Sequence, residues 1–296
     1  MTDFTIQIYK TLLITLQKQG FEFLLYKDFL NDYEGQKQLI LRHDVDARKE
    51  NSLHFARIEH KMGIVGTYYF RIMPQSFDEK IIKEIAGLGH EIGYHYETMA
   101  TISKKIKVKD FNVLIDAAYE EFRRNLETFR KICSIETICM HGSPFSKFDN
   151  RAIWGKYDYK KLGIFAEPYF DVDFNEVMYL TDTGRRWDGD SVSIRDKAVG
   201  DRRQAAKDQT KGRMRGWTTG GEENPTPRTQ LPELFPRFHS TFDIINAAEK
   251  GQLPDKIMMT FHPQRWTDKL VPWMKELIWQ NVKNMGKSFL IKVGSE

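Results

Sequence analysis

Gln38-Leu39-Ile40-Leu41-Arg42-His43-Asp44-Val45-Asp46 is the stretch on which the fold is decided. Residues 38–42 form a short apolar run that breaks into His43-Asp44-Val45-Asp46. A run of that length ending in polar groups reads as a buried strand with its chemistry at the exit. Asp44 and Asp46 are i and i+2, so in extended chain both carboxylates point the same way. Two packed carboxylates repel, and a cation beside them removes that cost. The alternative for Asp46 is an N-cap, since a helical stretch follows closely.

Working outward, residues 5–19 read as an amphipathic helix carrying Ile6, Ile8, Leu12, Leu13 and Leu16, stopped by Gly20. Residues 49–62 and 78–88 read as helices closed by Gly63 and Gly89, and 108–131 as a long helical stretch. Strands are expected at 64–70, 90–95, 135–140, 164–170, 176–180 and 257–261. Alternating strands and helices argue for an α/β architecture with a parallel sheet, and the number of strands suits a barrel. One domain is expected over 1–296, with a helical extension at 1–36 and a polar insertion at about 196–230. A long insertion of this kind is either functional, here a lid over the site, or a solvated surface loop.

Composition excludes several classes. Hydrophobic residues at 41% and charged residues at 29% describe a folded globular chain. A net charge of +4 without a dense Lys/Arg block disfavours nucleic acid as a partner. No run of about 18 apolar residues is present, so no membrane span is expected. The start, MTDFTIQIYKTLL, lacks a signal-peptide pattern, which makes the cytoplasm the expected location. Cys133 and Cys139 form no C-x-x-C pair, which argues against a thiolate zinc site. Oligomeric state has no signature in the sequence.

Four strand ends carry polar groups: Asp44 and Asp46 after the first, then His95, His141 in His141-Gly142-Ser143-Pro144, and His262 in His262-Pro263. In a parallel barrel the site forms at the carboxyl ends of the strands. Asp and His gathered there suit a mononuclear metal site with about three protein ligands and an open position. A second carboxylate and a further histidine would then serve as base and acid. His90 and His43 read as structural, and His54, His60 and His239 as ordinary.

These residues resemble the NodB-type polysaccharide deacetylases, the fourth carbohydrate esterase family, over roughly residues 38–265. The resemblance implies a distorted parallel (β/α) barrel. Leu41-Arg42-His43-Asp44-Val45-Asp46 resembles the family's first motif, which implies Asp44 as catalytic base and Asp46 as metal ligand. Gly89-His90-Glu91-Ile92-Gly93 resembles the lead of the second motif, H-x-x-x-H, and His95 matches its first histidine. The second histidine of that motif falls on Met99, a soft thioether and a poor ligand at a hydrolytic zinc site. His141 is the leading substitute and Glu97 the next. His141-Gly142-Ser143-Pro144-Phe145 echoes the third motif without its arginine, and Met259-Thr260-Phe261-His262-Pro263 resembles the last, which implies His262 as general acid.

The chain is similar to a divergent, WbmS-like branch found with surface-polysaccharide or O-antigen loci. That implies a metal-dependent hydrolase that removes an acetyl or formyl group from an amino-sugar intermediate, free or nucleotide-linked. One divalent ion is expected, zinc first, with nickel, cobalt or manganese also compatible. Arg71, Tyr96, Glu97 and Arg265 are the candidate substrate contacts, and Arg42 or Arg265 the residues expected to tune the acid–base pair. The competing readings are a hydrolase of a non-sugar amide or ureide, and a sugar-binding module that has lost catalysis.

Overall fold

A computed structural model describes residues 2–29, 36–107, 110–143, 146–187 and 235–293. The insertion at 196–230 and the pair Pro144-Phe145 lie outside them. The order of elements is α1 (Ile6–Lys18), β1 (Phe21–Leu24), α2 (Tyr26–Phe29), β2 (Lys37–Val45), α3 (Lys49–Lys61), β3 (Thr67–Phe70), α4 (Glu79–Gly87) and β4 (Glu91–Tyr96). There follow α5 (Thr98–Lys105), α6 (Phe111–Arg130), β5 (Ile138–Met140), α7 (Pro168–Asp171), β6 (Met178–Thr181), α8 (Thr241–Glu249), β7 (Lys256–Phe261) and α9 (Leu270–Val293). No described helix is long and apolar enough to cross a membrane.

The strands form one seven-stranded sheet in the order β5-β4-β3-β2-β7-β6, with β1 also on β2. All pairings are parallel. The expected α/β parallel barrel is therefore present as a half-barrel, because β5 and β6 end the path without pairing to each other. β2 is the centre. β7 pairs along one edge, while β1 covers Lys37–Ile40 and β3 covers Arg42–Val45 on the other.

β2 is buried over its last eight residues. A strand buried on both faces needs the near-continuous apolar run that 39–41 supplies. Its polar members are then obliged to find partners. Arg42 and Asp44 share one face, and Arg42 Nε and Nη2 donate to Asp44 Oδ1 and Oδ2 at 2.9 and 2.7 Å. His43, on the other face, stacks on Tyr68 and lies 2.9 Å from Glu59 Oε1. Glu59 also accepts the hydroxyl protons of Tyr9, at 2.5 Å, and Tyr68, at 2.9 Å. His90 accepts from the Gly66 N–H through Nδ1 and donates to the Ala56 carbonyl through Nε2. His43 and His90 are thus parts of the packing between the sheet and α1 and α3, as their sequence context suggested.

Several local expectations change. The segment at 1–36 is not purely helical, because Phe21–Leu24 adds a strand to the sheet and α1 buries Tyr9, Leu12, Leu13 and Leu16. The stretch 164–170 is not a strand. Ala166 makes one bridge to Thr137, then Glu167 caps a turn of helix by accepting the Tyr169 N–H, with Pro168 at its first position. Asp46 does not cap α3. The cap position is Arg48, in the left-handed region at φ 50°, with no side-chain cap bond. Both cysteines are free thiols.

Gly93 lies in β4 beneath the Tyr69 ring, and a Cβ there would overlap that ring and stand 3.0 Å from the Thr137 carbonyl. Tyr69 is fully buried and its hydroxyl is held by Thr137 Oγ1. Gly93→Ala is expected to destabilise the chain by about 1–3 kcal/mol through overpacking. The check is the urea midpoint at unchanged m-value, and an unaltered midpoint would show that the ring yields freely.

Candidate metal and catalytic site

The sheet register brings the four polar strand ends together. His43 pairs with Phe261, Asp44 with Tyr69, and His95 with Cys139, so the exits of β2, β7, β3, β4 and β5 lie side by side. His95 Nε2 is 3.7 Å from Asp46 Oδ1 and 3.7 Å from Asp44 Oδ2. His141 Nε2 is 3.3 Å from Asp46 Oδ1, and His262 Nε2 is 3.8 Å from Asp46 Oδ2. The imidazoles of His95 and His141 stand nearly perpendicular, at 86°.

Two groups of three donors among the described residues have ligand atoms within 4.8 Å of one another: Asp46, His95 and His141, and Asp44, His95 and Cys139. The first fits a cation better. Asp46 Oδ1 is buried and makes no hydrogen bond, although two imidazole nitrogens face it. An acceptor in that state is costly unless a cation or donor meets it. In the second group both Asp44 oxygens already hold Arg42, and burial pushes the Cys139 thiol well above its ordinary range.

Electrostatics follow the packing. Burial pushes the Asp46 carboxyl up, but the charges of His141, His262 and His95 outweigh it and hold the group well below the usual carboxylate range. Asp44 is lowered in the same way, burial being outdone by Arg42 and His95. Burial takes His95 down to about 4. His141 is also buried, yet Asp46 and Glu97 raise it to about 9, and Glu97 is drawn down to about 2 by His141 and Arg71 despite its own burial.

The four expected substrate contacts are spent on the protein itself. Tyr96 is fully buried on the opposite face of β4 from His95, with its hydroxyl between Glu167 and the Trp154 indole N–H, and it does not reach the cluster. Arg71 Nε and Nη2 both donate to Glu97 Oε1, and Glu97 Oε2 lies 3.2 Å from His141 Nδ1. Arg265 Nη1 donates to the carbonyl and carboxylate of Asp182. Met99 sits wholly buried in α5, within the core.

Asp182 is the residue that sequence reasoning missed. It is fully buried just past β6. Oδ1 takes the His262 Nδ1 proton at 2.5 Å, and Oδ2 takes the His262 backbone N–H at 2.9 Å and the Trp266 indole N–H at 2.7 Å. The signal was available, because a carboxylate two residues beyond a strand at 176–180 obeys the same exit rule as Asp44 and His95.

No family profile matches this chain, and no curated protein does. Among solved structures it is similar to the Streptococcus pyogenes deacetylase PplD in complex with acetate, at a TM-score of 0.36 and 12% identity, over 46% of this chain and 64% of that one. It is also similar to BA3943 from Bacillus anthracis, a CE4 family pseudoenzyme, at a TM-score of 0.40 and 10% identity, over 86% of this chain and 62% of that one. The chain thus spans less than two thirds of either structure, and likeness at this level bears on neither activity nor ligand.

Asp182→Ala strands Arg265, His262 Nδ1 and the Trp266 N–H together, and is expected to cost about 3–5 kcal/mol. Burial raises the Asp182 carboxyl, but His262 and Arg265 outweigh it and leave it lowered. The stabilisation it gives is therefore present above its unfolded pKa, about 3.9, and is lost as pH falls through the lower folded value. Urea midpoints of the two proteins should differ most near neutrality and converge below about pH 4. A difference independent of pH would show that the carboxylate charge is not the cause.

Proposed function

We propose that this chain is a metal-dependent hydrolase that removes an acyl group from an amino sugar, with Asp46, His95 and His141 holding one divalent ion. The observation that carries the reading is Asp46 Oδ1, buried and without a hydrogen bond, facing two imidazole nitrogens while a carboxylate and a third imidazole flank it. Two histidines and one carboxylate are a donor set for zinc, with nickel, cobalt and manganese also compatible. A bound ion would supply Lewis-acid polarisation of the acyl oxygen and acidify water in the site.

The chain's own residues account for the proton movements. Asp44 takes the proton of the attacking water. Arg42 keeps Asp44 ionised at neutral pH and fixes the plane of its carboxylate through two hydrogen bonds. The water oxygen bonds to the acyl carbon, the C–N bond breaks, and His262 gives its Nε2 proton to the departing amine. Asp182 holds His262 Nδ1, which turns Nε2 toward the Asp46 side of the cluster. The motif resemblance supports an N-acetyl or N-formyl amino sugar of surface-polysaccharide assembly, free or nucleotide-linked, as the substrate.

The test is release of acetate or formate from a panel of N-acylated amino sugars and their nucleotide conjugates. It is run with zinc, cobalt, nickel or manganese added and with chelator. Wild-type protein should turn over at least one member and lose activity with chelator; no release with any metal would overturn the reading. Asp44→Asn should retain its metal and lose activity by about 10²–10⁴-fold. Unchanged turnover in that variant would remove Asp44 from the role of base.

A further inference from the structure

We propose that the Arg71–Glu97 pair is the positioning device that makes His141 a metal ligand, completing the centre by a carboxylate–imidazole contact across two strand exits. The inference rests on the reading that Asp46, His95 and His141 hold the ion.

Glu97 follows β4 directly and occupies the N-cap position of α5, yet its side chain makes no capping bond. The carboxylate is turned away from the helix. Its Oε1 receives both Arg71 Nε, at 2.9 Å, and Arg71 Nη2, at 2.6 Å. That leaves Oε2 for His141 Nδ1 at 3.2 Å. Arg71 is itself fixed: its backbone N–H donates to Ser76 Oγ at 3.0 Å, and Nη1 donates to the Asp46 carbonyl at 3.4 Å. Ser76 Oγ in turn donates to the Val45 carbonyl at 2.5 Å. One guanidinium therefore ties the loop that carries Asp46 to the carboxylate that faces His141.

A neutral imidazole has one N–H and one lone pair, and the metal needs the lone pair. A carboxylate accepts only, so Glu97 keeps a proton on Nδ1 and leaves Nε2, the nitrogen 3.3 Å from Asp46 Oδ1, to the ion. The other neighbour of Nδ1, Ser143 Oγ at 3.2 Å, is a hydroxyl that donates or accepts and so selects neither form. His95 is presented by the same logic, with its Nδ1 3.0 Å from the Cys139 carbonyl. A backbone carbonyl of β5 itself serves His95, whereas His141 stands beyond β5 and needs a side chain. Acceptors of this kind on the far nitrogen of a ligating histidine change metal affinity by about 10–100-fold.

Zinc affinity, measured by competition with a chromophoric chelator and without substrate, separates the outcomes. His141→Ala should weaken binding strongly. Glu97→Ala should weaken it by about 10–100-fold, and Glu97→Gln, which keeps an acceptor oxygen, should recover part of that loss. Ring ¹⁵N–¹H correlation spectra of zinc-loaded wild-type protein should show His141 protonated on Nδ1 and metal-bound through Nε2. Binding through Nδ1 would overturn the proposal whether or not the variants fold. Wild-type affinity in Glu97→Ala, with weakened binding in His141→Ala, would overturn the role of Glu97 and leave the metal centre standing. Wild-type affinity in His141→Ala would overturn the metal centre itself.

Discussion

β2 is hydrogen-bonded along both edges, to β7 on one side and to β1 and β3 on the other. Such a strand cannot slip. A shift of one residue would exchange the two faces of the sheet, sending Asp44 toward the Glu59 side and His43 toward the cluster. The pleat of this one strand therefore assigns Arg42 and Asp44 to the site and His43 to the packing behind it. The neighbouring exits inherit their places from the same register, which is how His95 comes within 3.7 Å of both Asp44 and Asp46.

Behind and beside the cluster the structure repeats one solution, a buried carboxylate saturated by donors. Glu59 accepts from the hydroxyls of Tyr9 and Tyr68, with His43 Nε2 standing 2.9 Å from Oε1. Glu91 gathers the Lys27 backbone N–H and the hydroxyls of Thr67 and Thr137. Asp182 gathers His262, Arg265 and Trp266. Burying a carboxylate costs several kcal/mol unless its oxygens are satisfied, so each hub constrains every element that contributes a donor. The hubs thereby bind sequence-distant segments in fixed relative positions. Asp182 does so within the cluster, orienting an imidazole that would otherwise rotate.

Asp46 Oδ1 is the exception to this saturation. Its neighbours are imidazole nitrogens at 3.3 and 3.7 Å that make no hydrogen bond of good geometry to it. Glu59, Glu91 and Asp182 are met by donors and this oxygen is not, which is why the proposed ion is assigned to it. The position where an H-x-x-x-H pattern would put its second histidine lies inside α5, and there the chain has a core methionine. His141, just past β5, stands 3.3 Å from the Asp46 oxygen.

The sequence alone determined the parallel α/β architecture and the residues at the strand exits. Those rest on local rules, the length of an apolar run and the polar groups that end it. The same rules blurred where local signals were short. Phe21–Leu24 was absorbed into a helical extension, and 164–170 looked like a strand until Glu167 and Pro168 started a helical turn. Partnership was decided only by the tertiary structure. Arg71 and Arg265 read as candidate substrate contacts, and sheet order brings Glu97 and Asp182 against them. Tyr96 read as part of the site, but the pleat turns it away from His95 into the core. His262 and Asp182 are 80 residues apart. Nothing in local periodicity links them, because the contact exists only once β6 and β7 are paired side by side.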